Sequence, residues 1–311
     1  MNIQQFQYIL ALAETRHYEK AAEKSFISQS TLSTMISKFE DEIGVLIFDR
    51  KKKPLTVTTE GKIILEQIKK ISKEIESLDE IANQLKGEVK GKLNIAVIPT
   101  IAPFLLPLFL PDFAEKFPNL NIEVKEHTTE EIMRLIKSRD LDIGIISIPV
   151  NDKEIVEHHL YDEPFVFYDT AHKHKKKADV KDLDLSNLCL LEEGHCMRTQ
   201  VLELCDYHNK QLINKLNFKY KAGSIDSLLR FVNASKASTL LPYLAAIDLT
   251  EKEKRRVSHF VEPVPFRSVG LVVHTHFVKK KVLELLQVEI QSKILPLLPK
   301  VSSKAQMLNP V

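Results

Sequence analysis

Two of the chain's three cysteines, Cys196 and Cys205, lie nine positions apart in the segment LLEEGHCMRTQVLELC. Two neighbouring thiols can act in redox chemistry, bind a metal or simply pack in a core. On one α-helix, nine positions correspond to about 900° of rotation and roughly 13 Å of rise, so the thiols would face opposite ways. A disulfide requires Cα atoms within about 7 Å. If Cys196 and Cys205 share a helix, they can therefore join only after that helix unwinds, which would give the segment two discrete states.

The residues beside Cys196 favour the thiolate form of that cysteine. Gly194 and His195 directly precede the predicted helix, and Arg198 lies two positions inside it. A helix N-terminus and nearby cations stabilise a thiolate, which is the reactive form of cysteine. Oxidation of Cys196 to a sulfenic acid, followed by condensation with Cys205, would be a chemical switch. Cys189 lies in an apolar run and is predicted to be part of the core.

Length and composition limit the class of protein. The chain has 311 residues, of which 44% are apolar and 28% are charged, so it can form two or three domains with sizeable cores. The N-terminus has no secretory-signal pattern, and the longest apolar run, IAPFLLPLFLP, is short and broken by prolines. We therefore expect a soluble, cytoplasmic protein with no membrane partner. The formal net charge of +2 means that any basic binding surface is local.

The N-terminal region has the pattern of a helix-turn-helix. Residues 18–24 form a short predicted helix, and Ser28 can cap a second helix that ends at Gly44. The second helix has one apolar face, formed by Leu32, Ile36, Phe39 and Ile43. Short polar side chains at its start are suited to contact base edges and phosphates in a major groove. With one lysine further along, the predicted DNA-binding residues of this helix are Ser28, Gln29, Ser30, Thr31, Ser33, Thr34 and Lys38.

A cationic run follows this helix. The consecutive cations Arg50, Lys51, Lys52 and Lys53 precede a β-prone stretch, residues 55–58. This arrangement is typical of a wing that lies along the phosphate backbone. A pair of surface helices that binds no nucleic acid would share the helical pattern alone, but the wing favours DNA binding.

A long helix is predicted from Thr59 onward. Apolar residues recur along it at spacings of four and three: Ile64, Ile68, Ile71, Ile75, Leu78, Ala82 and Leu85. The helix could pack on its own domain, but its other faces are polar, which favours a seam with the same helix of a second chain. Gly87 and Gly91 mark the boundary with the next domain.

The remainder of the chain alternates β-type and helical segments, which predicts an α/β domain with a parallel sheet and helices on its faces. About 220 residues of this kind commonly form two lobes around a ligand-binding cleft. We predict a winged helix-turn-helix over residues 1–58, a dimerising linker helix over 59–90 and a regulatory domain over 91–300. Lobe I would comprise about 91–164 and 267–300, and lobe II about 165–266. Residues 301–311 are predicted to be a disordered tail.

With these features together, the chain resembles the LysR-type transcriptional regulators over nearly its whole length. The block AAEKSFISQSTLSTMISKFEDEIGVLIFDR carries the specific likeness. The resemblance implies a winged helix-turn-helix, a linker helix and a two-lobed α/β domain like a type II periplasmic binding protein. It also implies that the protein is not an enzyme, binds a double-stranded DNA operator, forms a homotetramer of linker-helix dimers and contacts RNA polymerase.

The regulatory half is similar to that of the peroxide-sensing members of this family. The matching segments are IAVIPTIAPFLLP, LDIGIIS, YDEPF, LLEEGHCMRTQVLELC, STLLP and VGLVV. The resemblance implies that hydrogen peroxide attacks Cys196, that Cys205 resolves the product and that the protein activates oxidative-stress genes. By the same resemblance, the reacting cysteine is surrounded by Thr100, Thr129, His195, Arg198 and Arg267.

Two other functions remain open. The cleft of the regulatory domain could bind a small metabolite, with incidental cysteines, or the chain could be a thiol peroxidase, which its DNA-binding half disfavours. No metal or cofactor is expected, because His158 and His159 point apart in a predicted strand and the run HKHKKK is cationic.

Overall fold

The computed structural model describes residues 1–86, 88–170, 176–180, 183, 187–204 and 220–310, without the side chains of Asp79, Asn83 and Gln84. The chain divides into two compact units, Met1–Lys86 and Gly87–Val311. No helix in the described part of the chain is both long enough and apolar enough to cross a membrane.

The first unit is a winged helix-turn-helix followed by a long helix. Its elements are α1 (Ile3–Thr15), α2 (Tyr18–Lys24), α3 (Gln29–Ile43), β1 (Phe48–Asp49), β2 (Thr56–Val57) and α4 (Thr59–Leu85). The Ser28 hydroxyl accepts the Thr31 N–H at 3.2 Å and caps α3, as the sequence predicts. The helix ends at Gly44, whose φ of +69° is the left-handed conformation that glycine adopts without strain. Strands β1 and β2 pair in antiparallel fashion and form the wing.

The apolar row of α4 is partly buried in the core of the first unit and partly exposed to solvent. Ile68 is buried in the core of the first unit, and Ile64 and Ile71 pack against the same core. Further along, Leu78 and Leu85 are 66% and 84% exposed. The prediction of one continuous seam is therefore wrong for the first half of the helix, because that half completes the hydrophobic core of its own domain.

The second unit contains seven helices and nine strands among its described residues. Its first part contains β3 (Gly91–Val97), α5 (Ala102–Lys116), β4 (Leu120–Glu126), α6 (Thr129–Lys137), β5 (Ile143–Ile148), β6 (Ile155–Asp169) and β7 (Lys177–Ala178). Its second part contains α7 (Cys196–Leu204), α8 (Ile225–Ser235), β8 (Ser238–Pro242), α9 (Tyr243–Ile247), α10 (Glu251–Lys254), β9 (Val257–Phe260), β10 (Pro265–His274), α11 (Lys280–Ile294) and β11 (Gln306–Met307).

The sheet of this unit is mixed, with the strand order β4-β3-β5-β10-β6-β9-β7. Strands β3, β4 and β5 are parallel to one another. Strand β10 runs antiparallel to both β5 and β6, and β6 pairs antiparallel with β8 and β9. The prediction of a parallel sheet is therefore correct for β3–β5 and for the short pairs β7–β9 and β10–β11, and wrong for the other strand pairs. The long strands β6 and β10 pair antiparallel with each other, and this makes the sheet mixed.

Two hydrophobic cores give the second unit its two lobes. One core lies among β3–β5, the first part of β6, β10 and the helices α5, α6 and α11. The other contains the second part of β6, where Phe165 is buried, together with α7, α8 and β8. Strands β6 and β10 thus connect two separately packed bodies, as in a two-lobed binding domain.

The C-terminal tail is ordered through residue 310, contrary to the sequence-based prediction. Strand β11 pairs in parallel with the start of β10. The Leu308 side chain is fully buried in the second core, and the Gln200 side chain donates to the Leu308 carbonyl at 2.9 Å. The Asn309 N–H donates to Glu203 at 2.8 Å. The tail therefore packs against α7, which the sequence could not indicate because these contacts span more than a hundred residues.

Candidate functional site

Cys196 is the first residue of α7 and lies where the two lobes meet. Gly194, with a φ of +96°, turns the chain into the helix in a conformation that a side chain would strain. The Cys196 side chain is 6% exposed and packs in the first core, whereas Met197 and Val201 on the same helix pack in the second. Because Cys196 is at the N-terminus of α7, the helix dipole places partial positive charge beside the thiol.

A narrow, closed cavity lies beside Cys196. It is lined by Ile98, Pro99, Thr100, Thr128, Thr129, Gly194, His195 and Cys196. The Thr129 hydroxyl is buried and has no hydrogen-bond partner in the described structure. In this conformation the cavity is too narrow for a water-sized molecule. Four of the predicted site residues, Thr100, Thr129, His195 and Cys196, are thus brought together around one small cavity.

A buried ion pair between Arg267 and Glu163 holds Thr100, one of the residues that line the cavity. The Nε and Nη2 atoms of Arg267 donate to Oε2 of Glu163 at 2.9 and 2.7 Å. The same guanidinium donates through Nη1 to the Thr100 hydroxyl and through Nη2 to the Thr100 carbonyl, both at 3.1 Å. The second Glu163 oxygen accepts the Leu244 N–H at 2.8 Å. Because Arg267 already donates to the Thr100 oxygen, the hydroxyl hydrogen of Thr100 is free to point elsewhere.

Two basic side chains of the site, Arg267 and His195, have shifted pKa values. Burial opposes the charge of Arg267, but Glu163, Tyr161 and Cys196 raise the pKa of the guanidinium on balance. Burial lowers the pKa of His195 below 6.5, although Glu192 acts in the opposite direction. At neutral pH the His195 imidazole is therefore neutral, and Arg267 is the cation that interacts with Cys196.

Arg198 does not lie where the sequence predicts it. Arg198 is half-buried and its Nη1 donates to the Leu191 carbonyl at 3.0 Å, so this side chain anchors the start of α7 and does not line the cavity. Cys205 lies outside the described residues. Cys189 is half-buried, and burial raises the pKa of its thiol.

Sequence reasoning missed two residues of the site, Glu163 and Ser147. Glu163 belongs to the YDEPF segment, but its partner is 104 positions away and is identified only through the pairing of β6 with β10. Ser147 is fully buried, and its hydroxyl accepts a hydrogen bond from the Cys196 thiol at 3.7 Å. One signal was available, because Ser147 is the single polar side chain in the strand IGIISI.

The predicted DNA-binding residues form an exposed surface on the first unit. Ser33 is half-buried, and the rest of the predicted set on α3 and in the wing is exposed. Arg50 has a further role, because it donates to Glu40 at 2.7 Å and to Ser37 at 2.8 Å. The buried Glu40 carboxylate also accepts the N–H groups of Ile47 and Phe48. Arg50 therefore holds the wing against α3.

No cluster of three or more metal-ligating side chains occurs among the described residues. His158 and His159 lie on β6, and the Nε2 atom of His159 is 2.9 Å from Asp162. His172 and His174 of the run HKHKKK lie outside the described residues.

Comparisons with known proteins agree with this architecture. Residues 3–62 match the model of the bacterial regulatory helix-turn-helix protein, lysR family. Residues 86–288 match the model of the LysR substrate binding domain. A hydrogen peroxide-inducible genes activator from Pectobacterium carotovorum subsp. carotovorum is 32% identical over 277 residues, which cover 88% of this chain and 90% of that protein.

Two solved structures are similar over nearly the whole chain. A full-length OxyR variant from Pseudomonas aeruginosa is 30% identical, with a TM-score of 0.71 and coverage of 94% of this chain and 98% of its own. An OxyR mutant from Corynebacterium glutamicum, solved with hydrogen peroxide bound, is 26% identical with a TM-score of 0.60, covering 100% of this chain and 98% of its own. The chain therefore belongs to the LysR family of bacterial transcriptional regulators, and OxyR proteins are among the members of the family that it is similar to.

Proposed function

We propose that this protein is a DNA-binding transcriptional activator that responds to hydrogen peroxide through oxidation of Cys196 and formation of a Cys196–Cys205 disulfide. The observation that carries the proposal is the cavity beside Cys196. There a buried thiol at a helix N-terminus lines the same small cavity as the unpaired Thr129 hydroxyl and Thr100, which Arg267 orients.

The first chemical step is attack of the thiolate on peroxide. An S–O bond forms as the O–O bond breaks, and the departing hydroxide takes up a proton and becomes water. The Thr100 and Thr129 hydroxyls are suited to hold the two peroxide oxygens, and the charge of Arg267 stabilises the anion that leaves. Because the cavity is closed in this conformation, peroxide entry requires a small movement of its lining.

The second step couples chemistry to conformation. The Cys205 sulfur attacks the sulfenic sulfur, an S–S bond forms and a second water leaves. While α7 is helical from Cys196 to Leu204, the Cα atoms of those residues are about 12 Å apart. The next Cα, one peptide of about 3.8 Å further on, can then come no closer than about 8 Å, which exceeds the limit for a disulfide. Disulfide formation therefore unwinds at least part of α7.

In the proposed function, the first unit binds DNA and forms the dimer. The exposed polar start of α3 enters the major groove, and the cations of the wing follow the phosphates. The exposed row at the end of α4 forms the dimer seam. Regulatory domains join two such dimers into a tetramer, and the change in α7 alters their contacts and the engagement of RNA polymerase.

The decisive experiment is to count free thiols and map disulfides in the full chain before and after a brief equimolar peroxide pulse, beside measurement of promoter activation. We expect the loss of two thiols and a Cys196–Cys205 bridge. A metabolite-responsive regulator would show peroxide-independent transcription, and a thiol peroxidase would show repeated turnover with a reductant. Either outcome contradicts the proposal.

A further inference from the structure

Ser147 touches the reacting sulfur from outside the cavity. Its hydroxyl lies 3.7 Å from the Cys196 sulfur, and its side chain is fully buried on β5, opposite Val269 of β10. The side chains that line the cavity come from other segments, around Thr100, Thr129 and Cys196. Ser147 is therefore placed to interact with the thiol and not with a molecule that occupies the cavity.

The hydrogen bond between these residues must change direction when the thiol ionises. In the neutral form, the Cys196 S–H donates to the Ser147 oxygen. A thiolate has no proton to donate, but the serine hydroxyl can rotate and donate its own hydrogen to the sulfur. A hydrogen bond to an ionised acceptor is about twice as strong as one between neutral groups, and burial strengthens it further. The exchange thus favours the thiolate over the thiol.

We propose that Ser147 is a hydrogen-bond donor to the Cys196 thiolate, which increases the thiolate fraction at neutral pH and holds the sulfur at the inner end of the cavity. This inference rests on the proposed function, in which Cys196 is the residue that peroxide oxidises. Because Ser147 bonds the sulfur, the Thr100 and Thr129 hydroxyls remain available to bind the peroxide oxygens. Substitution of Ser147 does not alter the charged or titratable groups of the site. These are Arg267 on β10, which interacts with Cys196, Glu163 and Tyr161 on β6, which interact with Arg267, and His195 before α7.

The test measures the rate of Cys196 alkylation by iodoacetamide as a function of pH. It uses the full chain with Cys189→Ser and Cys205→Ser, so that Cys196 is its single thiol. Ser147→Ala should move the midpoint of the profile upward by about one pH unit and slow alkylation at neutral pH about tenfold. Ser147→Thr, which keeps the hydroxyl, should retain the original midpoint.

Ser268→Ala is the matched control. Ser268 is a buried serine on the neighbouring strand β10, and its hydroxyl donates to Asp162 at 2.6 Å and not to the cysteine. An unchanged or lowered midpoint in Ser147→Ala, or an equal shift in Ser268→Ala, would overturn the inference. Infrared spectroscopy adds a test that needs no substitution at Ser147, because the reduced thiol should show the S–H stretch of a hydrogen-bonded donor. A free-thiol frequency would also overturn the inference.

These readouts separate the inference from the proposed function. A normal peroxide response with no effect of Ser147→Ala on alkylation would refute the role of Ser147 alone. A shifted alkylation profile, together with no peroxide response in the chain that keeps all three cysteines, would refute the sensing function and leave the thiol contact intact.

Discussion

Arg267 and Glu163 form an ion pair that is almost completely removed from solvent, with side-chain exposures of 1% and 0% and an N–O distance of 2.7 Å. The pair joins β10 to β6 at the point where both strands pass between the lobes. It also fixes the guanidinium that donates to Thr100. The geometry of the cavity beside Cys196 therefore depends on a contact that does not itself line the cavity.

Glu163→Gln should destabilise the protein strongly, because it leaves the Arg267 charge buried without a counter-ion. Removal of one partner of a buried pair costs about 3–5 kcal/mol. Urea unfolding of the reduced chain measures the change. Glu131→Gln, which breaks the exposed pair of Glu131 with Arg134, is the control and should leave the unfolding midpoint unchanged. Equal effects of the two substitutions would show that the buried pair has no special role.

The three cysteines should differ in their roles. Cys196→Ser should abolish the peroxide response, since no sulfenic acid can form beside Arg267 and the helix terminus. Cys205→Ser should consume one equivalent of peroxide and stop as a sulfenic acid or mixed disulfide. Cys189→Ser should behave as the unmodified chain does, because burial raises the pKa of that thiol and keeps it protonated at neutral pH. Mass spectrometry after one equivalent of peroxide identifies the oxidation product of each variant. Peroxide-dependent activation of transcription by the Cys196→Ser variant would contradict the assignment of Cys196 as the reacting thiol.

Substitution of Lys51, Lys52 and Lys53 by alanine should weaken binding to all DNA sequences. Each lost phosphate contact should reduce the slope of log affinity against log salt by about 0.9. Arg50 is left in place because it is bonded to Glu40 and its loss would loosen the wing. Changes at Gln29 or Thr31 should instead alter sequence preference. A salt slope unchanged by the triple substitution would remove the wing from the DNA interface.

Leu78→Asp should dissociate the proposed dimer, because it places an unpaired charge in the exposed part of the α4 row. Ile71 is unsuitable for this test, since it packs against the core of its own unit. Lys69→Asp, about 180° around the helix from Leu78, controls for the introduced charge. Sedimentation velocity at micromolar concentration measures the assembly. A dimer that survives Leu78→Asp and still binds operator would place the dimer contact elsewhere.

Deletion of residues 305–311 should make α7 open more readily. The deletion removes the Leu308 carbonyl that the buried Gln200 side chain bonds and the Asn309 N–H that bonds Glu203. We expect faster conversion of the sulfenic acid to the disulfide and a lower thermal unfolding midpoint of the reduced chain. Asn309→Ala is the control, because Asn309 contributes its backbone N–H and its side chain is exposed. Unchanged disulfide kinetics in the truncated chain would show that the tail does not restrain α7.

Local patterns in the sequence predicted α2, α3, the wing, α4 and the start of α7. The Ser28 cap, the Gly44 terminus and the start of α7 at Cys196 depend on hydrogen bonds and backbone preferences that act within a few residues. The cluster of Thr100, Thr129, His195 and Cys196 was predicted through family resemblance, since no spacing in the chain indicates that residues nearly a hundred positions apart meet.

Tertiary structure alone decided which charge faces the thiol, which part of α4 is exposed and where the tail lies. Arg198 is close to Cys196 in sequence, but its guanidinium is bonded to the Leu191 carbonyl, whereas the distant Arg267 interacts with Cys196. Ser147 and Glu163 reach the site through the register of β5, β10 and β6. Strand register depends on how whole elements pack to exclude water, and that balance of burial extends over the entire domain and not over a local window of sequence.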